Sequence, residues 1–247
     1  MTPYEQRRLQ GPLRWLSRDY AELREAARTG AVYDVLVVGS GYGGAMAAFE
    51  FAGLRKPDGQ PVRVCVLERG QEYAPGMFPS SLQELPPHVR LHRSGSDELV
   101  GRRDALLDVR IGGDVTTILG NGLGGGSLIN AGVMEPPRLQ EWDLARQHLP
   151  DEVVADLDPA FFAAVAADLG ACPPDAPDHP ANAQGGLRKT AELRRIAAAG
   201  GAEFRLAALT VQAGSDDPDR PRCTLCGDCM TGCNVGAKRS LDTTLLQ

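Results

Sequence analysis

The sequence predicts an α/β domain built around a buried parallel sheet, and three observations support this prediction. Residues 33–38 form a short apolar run rich in β-branched side chains, and residues 62–67 form a second one. Between them lie a glycine-rich turn at 39–44 and an alanine-rich segment that runs through Phe51. A strand, a helix and a parallel strand in this order make one βαβ unit. Because a nearly continuous apolar run is typical of a strand covered on both faces, we expect 33–38 to be buried on both sides.

The composition narrows the classes of protein to which this chain can belong. Its 247 residues are 43% hydrophobic and 23% charged, which excludes a wholly disordered or fibrous chain. The formal net charge of -6 disfavours a polyanionic partner such as nucleic acid. No apolar stretch approaches the roughly 18 residues of a spanning helix, and the N-terminal segment lacks the apolar core of a secretory signal. We therefore expect a cytoplasmic protein without a transmembrane segment.

Caps and chain breaks predict the elements outside the βαβ unit. Residues 17–28 are expected to form a helix with Ser17 as its N-cap. Residues 71–104 show no periodicity and are expected to run irregularly over the surface, whereas 106–119 indicate two extended runs. Further helices are predicted at 138–148, 158–170 and 188–199, followed by a strand-like run at 203–211.

The turn after the first strand has the glycine spacing of a dinucleotide-binding loop. Gly39, Gly41 and Gly44 make a Gly-x-Gly-x-x-Gly motif that follows a strand and opens a helix. Gly39 permits the tight turn, Gly41 lets the backbone approach a pyrophosphate, and Gly44 lets helix and strand pack closely. The N–H groups of the first helical turn then face the diphosphate. The alternative is a plain tight turn in an α/β domain.

A carboxylate at the end of the second strand strengthens this interpretation. Glu68 is placed where it can accept hydrogen bonds from both hydroxyls of an adenosine ribose. Hydrogen bonds to a charged group contribute about 1.5–3 kcal/mol each, so we expect Glu68 to matter for affinity. A carboxylate here also disfavours the 2′-phosphate of NADP. The alternative is a solvated carboxylate at the end of a strand.

A second glycine-rich block, LGNGLGGGSLINAGV, occupies residues 119–133. Its glycines cannot build a core, but they let the main chain lie against a flat or charged group. Ser127 and Asn130 offer polar contacts at the same surface. The block therefore indicates a second ligand-facing segment, with a flexible loop as the alternative.

Three motifs together resemble a known family of flavoenzymes. VVGSGYGG, LERG and the block at 119–133 are similar to the glucose-methanol-choline (GMC) family, and most of all to its cholesterol oxidase branch. The resemblance implies a Rossmann-like FAD-binding domain with irregular and helical insertions. Carried over by position, it implies FAD contacts from Gly39, Gly41, Tyr42, Gly43, Gly44, Glu68, Gly125, Gly126, Asn130 and Val133. Met134 departs from the family, which has an aromatic residue or Ala there.

The activity that the resemblance implies is the oxidation of a CH–OH group. The chain would then belong to an FAD-dependent oxidoreductase that acts on a small-molecule alcohol, such as a sterol, by hydride transfer to flavin N5. Oxygen or another external acceptor would take the electrons. The alternatives are an iron–sulfur flavoprotein with a non-sterol substrate and a cofactor-binding module without turnover.

The resemblance also predicts which part of an enzyme this chain holds and where its domains begin and end. No catalytic residue is assigned, because none of the four histidines (His88, His92, His148 and His179) lies in a family-like active-site context. We therefore expect a chain that is incomplete C-terminally and holds the cofactor half of an enzyme. Its predicted parts are an N-terminal helical extension at 1–30, the FAD-binding domain at 31–135, a helical segment that begins a substrate domain at 136–212, and a cysteine-rich segment with the return to the FAD domain at 213–247.

Four cysteines near the C-terminus predict a metal site. Cys223, Cys226, Cys229 and Cys233 form a C-x2-C-x2-C-x3-C run. This spacing is typical of a bacterial ferredoxin-type segment that holds a 4Fe-4S cluster, although Asn234 stands where Pro is usual. A zinc site and free or disulfide-linked thiols are the alternatives.

Overall fold

The chain is a mixed α/β protein, in which one βαβ unit is followed by a run of strands and then by helices. The computed structural model describes residues 16–30, 32–93, 95–96, 98–136, 148–156, 159–182, 187–211, 214 and 221–247. Within them the helices are α1 (Tyr20–Arg28), α2 (Tyr42–Ala52), α3 (Asp151–Asp156), α4 (Pro159–Asp168) and α5 (Arg188–Ala199). The strands are β1 (Val35–Val38), β2 (Val64–Leu67), β3 (Val89–Arg93), β4 (Leu99–Gly101), β5 (Leu107–Ile111), β6 (Thr116–Gly120), β7 (Val133–Met134) and β8 (Ala208–Leu209). None of the helices in the described residues has the length and apolar character needed to cross a bilayer.

The predicted βαβ unit is confirmed in its order and in its pairing. Strand β1 pairs in parallel with β2, and α2 connects the two. The expectation that β1 is buried on both faces is wrong within the described residues, because Leu36 is 60% exposed and Val38 is 82% exposed. Helix α2 covers the other face of the pair, which carries Val37.

The prediction that residues 71–104 run irregularly over the surface is wrong. Two strands, β3 and β4, lie in this segment, and they join β5 and β6 in a sheet of order β4-β3-β5-β6. Strand β3 contains polar residues, so its sequence lacks the apolar pattern of a buried strand. One of them, Arg90, is buried because it forms an ion pair with Asp108 on β5. A buried charge needs such a partner, and no local pattern reveals it. The two extended runs predicted at 106–119 are confirmed as the antiparallel pair β5 and β6.

The helical predictions are confirmed in part. Helix α1 is capped by the Asp19 carboxylate, which accepts a hydrogen bond from the Glu22 N–H, so the prediction of Ser17 as N-cap is wrong. Ser17 instead donates to Glu72. Helices α4 and α5 lie where they were predicted, and the run at 203–211 is reduced to the two-residue strand β8. Most of the helix predicted at 138–148 lies outside the described residues.

Two apolar clusters hold the elements around the glycine-rich segments. One contains Tyr73, Phe78, Leu106, Leu107, Leu128 and Ile129, and therefore packs the second glycine block against β5. The other brings Leu241 and Leu245 onto Ala45 of α2, together with Leu169. The last residues of the chain thus return to the helix that follows the first glycine turn.

Candidate functional site

One side of the first glycine turn is open, and the other side is closely packed. A methyl group on Gly44 would lie 2.0 Å from the Gly39 carbonyl oxygen, so only glycine allows α2 to pack this closely on β1. Gly41 is the N-cap of α2, and a methyl group there, or on Gly43, would meet no atom within 4 Å. The turn therefore presents bare backbone at the positive end of a helix, which suits an anionic group.

The two glycine-rich segments meet, although about 80 residues separate them in sequence. Gly125 has a φ of +56°, and a methyl group on it would lie 2.7 Å from the Gly41 Cα atom. Gly126 is exposed beside it, with open space where a side chain would extend. We refer to residues 39–44 and 120–130 together as the glycine cradle. Its two walls are backbone, and they touch at Gly41 and Gly125.

Ser40 fastens these two walls together. It is fully buried, with 0% exposure, and its hydroxyl donates to Glu68 Oε2 at 2.6 Å. The same hydroxyl accepts a hydrogen bond from the Gly124 N–H at 3.0 Å. The sequence prediction missed Ser40, although its place between two motif glycines was a signal that its side chain would be enclosed.

Glu68 accepts hydrogen bonds from a residue of the cradle and from the loop that follows β2. Its Oε2 accepts hydrogen bonds from the Ser40 N–H and hydroxyl, and its Oε1 accepts one from the Gly70 N–H at 2.8 Å. A carboxylate oxygen has two acceptor sites. With these bonds in place, Oε1 keeps one acceptor site, and the ribose contact predicted for Glu68 stays a prediction.

The remaining predicted contact residues lie along the rim of the cradle. The Asn130 side-chain amide donates to the Tyr42 phenol oxygen at 2.7 Å, which links the two walls a second time. Partial burial raises the pKa of Tyr42, so this phenol stays neutral at physiological pH. Val133 is half exposed at the start of β7. The residues predicted from the GMC resemblance therefore lie in the glycine cradle or within a few residues or one hydrogen bond of it, and their contact with FAD stays a prediction.

A buried lysine joins the cradle to the cysteine-rich segment. Lys238 is 3% exposed, and its ammonium donates to the carbonyl oxygens of Leu128, Asn130 and Cys229. Burial lowers the pKa of Lys238 to about 8. Three carbonyl acceptors satisfy all three donors of the ammonium. The sequence prediction did not identify this residue, since its partners lie up to 110 positions away.

A buried carboxylate lies against the same wall of the cradle. Asp242 is 5% exposed, its Oδ1 has no hydrogen-bond partner, and this atom lies close to the Cα position of Gly124. Burial raises the pKa of Asp242 to about 6. The backbone N–H of the preceding residue, Leu241, donates to the Ser127 hydroxyl, which fixes this segment on the cradle.

The four cysteines of the predicted metal site line one cavity. The cavity has a volume of about 180 Å³, and Leu209, Val211, Leu225, Val235 and Ala237 supply apolar walls. All four thiols are free, and burial raises the pKa of Cys223 and Cys229. In the part of the chain that the structure describes, no three His, Cys, Asp or Glu side chains are arranged to hold a single metal ion. The metal site predicted at Cys223, Cys226, Cys229 and Cys233 stays a prediction.

Asn234 explains one departure from the ferredoxin-type pattern. Its side-chain oxygen accepts hydrogen bonds from the N–H groups of Gly76 and Phe78, and its amide donates to the Phe78 carbonyl oxygen. Gly232 lies against the Phe78 ring in a left-handed conformation that leaves no room for a side chain. The cysteine-rich segment is therefore anchored on the 76–78 loop through Asn234, a role that proline could not fill.

The histidines occupy ordinary structural positions. His179 is buried, accepts a hydrogen bond from the Ala181 N–H at Nδ1 and contacts the Ala207 carbonyl oxygen through Nε2, so its proton lies on Nε2. His88 packs beside Tyr73, and His148 is exposed. None of the four histidines belongs to the glycine cradle.

The similarity to known proteins is distant. No family model matches the chain. The chain is 28% identical over 223 residues to a cholesterol oxidase of Acinetobacter baumannii, and the match covers 87% of this chain. It spans 38% of the length of that relative. Together with the motifs, this match supports a GMC-like relationship.

Proposed function

We propose that the glycine cradle binds FAD and that the chain is the cofactor-binding part of an oxidoreductase. The observation that carries this proposal is the backbone contact between Gly41 and Gly125, fastened by Ser40. Two separate backbone walls with open space above Gly41, Gly43 and Gly126 suit a long, flat ligand with a charged middle.

The residues present fit the chemistry of the dinucleotide. The N–H groups at the start of α2 face the space where a pyrophosphate would lie. The free acceptor site on Glu68 Oε1 can receive one ribose hydroxyl. A carboxylate at this position repels a 2′-phosphate, which favours FAD over NADP. Bound FAD would supply a two-electron hydride acceptor, and the chain's own part is to bind and orient it.

We propose a hydrophobic alcohol, such as a sterol, as the donor of the hydride. The name of the Acinetobacter baumannii relative and the GMC resemblance support this substrate class. Oxygen or another external acceptor would then receive the electrons. The base that takes the hydroxyl proton is not among the residues assigned to the cradle.

The binding proposal is tested by titrating the protein with FAD and FMN and following flavin fluorescence. We expect FAD to bind and FMN, which lacks the adenosine half, to bind at least tenfold more weakly. Glu68→Gln should weaken FAD binding about tenfold, because it removes the charge that accepts the ribose hydroxyl. The matched control is Glu50→Gln, at an exposed position on α2. Unchanged FAD affinity in Glu68→Gln would refute the assigned ribose contact, and absence of FAD binding would refute the proposal itself.

The substrate class is tested on the flavin-loaded protein without oxygen. Cholesterol and short-chain alcohols are added in turn, and bleaching of the flavin absorbance reports hydride transfer. We expect bleaching with the hydrophobic alcohol. A flavin that no alcohol bleaches, yet that accepts electrons from a one-electron donor, would favour the second candidate, an iron–sulfur flavoprotein with a non-sterol substrate. The cavity lined by four cysteines favours that candidate.

A further inference from the structure

We propose that the cavity lined by Cys223, Cys226, Cys229 and Cys233 binds one 4Fe-4S cluster, held against the glycine cradle by Lys238. The proposal goes beyond flavin binding and does not depend on it. It rests on the shared cavity of the four thiols, the shape of the loop around them, and the lysine that connects this loop to the cradle.

The four cysteines share one cavity, which is the feature that a cluster requires. Four ligands of one zinc ion must all lie about 2.3 Å from the same point. In a cubane each thiolate binds a different iron, so the four sulfur atoms surround a volume and stand farther apart. All four cysteines are among the residues that line the cavity of about 180 Å³.

Three residues of the loop around this cavity have positive φ values, which most side chains disfavour. Leu225, between the first two cysteines, has a φ of +59°, and it is the non-glycine residue with positive φ among the described residues. Gly227 and Gly232 also adopt positive φ values. The Leu225 N–H points at the Cys223 sulfur, 3.3 Å away. Such N–H groups stabilise the negative sulfur atoms of a cluster.

The surroundings provide the low polarity and the charge that a cluster needs. Apolar side chains, among them Leu209 and Val211, line the cavity between the cysteines. The ammonium of Lys238 lies near enough to Cys229 and Cys233 for its charge to act on both thiols. A buried cation beside two of the four cysteines would offset part of the negative charge of a bound cluster.

Lys238 also fixes where the cluster would lie. One ammonium donates to Cys229 O at 3.0 Å and to Asn130 O at 2.6 Å, so the cysteine loop and the cradle share a single buried contact. Asn130 in turn donates to Tyr42 at the start of α2. The cluster would therefore be a neighbour of the cradle and not a remote structural site.

The test is reconstitution of the 247-residue chain with ferrous iron and sulfide in the absence of oxygen. We expect about four iron and four sulfide per chain, a broad visible absorbance, and a paramagnetic signal after reduction with dithionite. Cys226→Ser should remove that signal, and because Cys226 is exposed the variant should keep its thermal melting curve. Cys172→Ser is the control for a cysteine outside the cavity, and because Cys172 is buried only its iron and sulfide content is compared.

Several results would overturn the proposal. One zinc per chain without sulfide, the absence of bound metal, or a full iron and sulfide content in Cys226→Ser would each do so. FAD binding is measured on the same samples through flavin fluorescence. Iron and sulfide without FAD would refute the proposed function alone, and FAD without iron and sulfide would refute this inference alone.

Discussion

The glycine cradle and the cysteine cavity are built on opposite principles. The cradle is backbone, and its polar groups are already bonded to one another through Ser40 and Glu68. The cavity is lined by apolar side chains and by four free cysteines, whose thiols are weak hydrogen-bonding groups. The polar groups of the cradle are therefore held by bonds within the chain, whereas the cavity offers free thiols. The difference separates a backbone site stabilised by its own hydrogen bonds from a side-chain site that offers sulfur atoms to a ligand.

We expect the largest effect from Gly44→Ala, which disturbs the close packing of α2 on the turn that follows β1. The added methyl group would lie 2.0 Å from the Gly39 carbonyl oxygen, so α2 must move away from β1. We expect a loss of at least about 3 kcal/mol in the free energy of unfolding. At this chain length that corresponds to a fall of roughly 10 °C in Tm. Thermal unfolding followed by circular dichroism measures it.

Gly43→Ala is the matched control on the same helix. A methyl group on Gly43 meets no atom within 4 Å, so the variant should gain up to about 1 kcal/mol from the better helix former. The same methyl group projects into the open side of the cradle, so FAD affinity should fall although stability does not. Equal loss of stability in both variants would contradict the assignment of a packed lower side and an open upper side.

The second effect, Ser40→Ala, separates the two walls of the cradle. It removes a hydrogen bond to the Glu68 carboxylate and leaves the buried Gly124 N–H without its acceptor. We expect a loss of about 2–3 kcal/mol in stability together with weaker FAD binding, while reconstitution of the cysteine cavity is unchanged. Chemical denaturation and flavin fluorescence measure the first two. Ser81→Ala, at an exposed position, should stay within about 0.5 kcal/mol of the parent protein. A Ser40→Ala protein that melts like Ser81→Ala would show that the walls hold together without this hydroxyl.

The sequence predicted those parts of the molecule that depend on local rules. The βαβ order follows from the periodicity of β1 and β2, and the role of Gly44 follows from motif spacing. The same spacing indicated that residues 39–44 open a helix at Gly41. Each of these features is decided within a few residues of chain, so a single sequence contains the information.

The parts that the sequence did not reveal depend on distant partners. Strand β3 was missed because Arg90 can be buried only if Asp108 pairs with it across the sheet. The Ser40 hydroxyl finds its acceptor 28 residues away and its donor 84 residues away. The expectation of two covered faces for β1 failed because α2 packs on one face, while Leu36 and Val38 on the other face stay exposed among the described residues. Such contacts are fixed by tertiary packing, which local patterns do not record.

The smallest expected effect is a change of stability with pH at Asp242, where the cradle and the C-terminal segment meet. The folded protein keeps the proton of Asp242 up to a pKa of about 6, and the unfolded chain releases it near 3.8. Since the folded state binds the proton more tightly, this carboxyl destabilises the protein increasingly as pH rises from 3.8 through 6. The stability of Asp242→Asn relative to the parent protein should therefore increase by roughly 2 kcal/mol from pH 4.5 to pH 7.5. Denaturation curves at both pH values give this difference, with the exposed Asp114→Asn as the control. A stability difference that does not change with pH would show that the folded protein does not raise the pKa of Asp242.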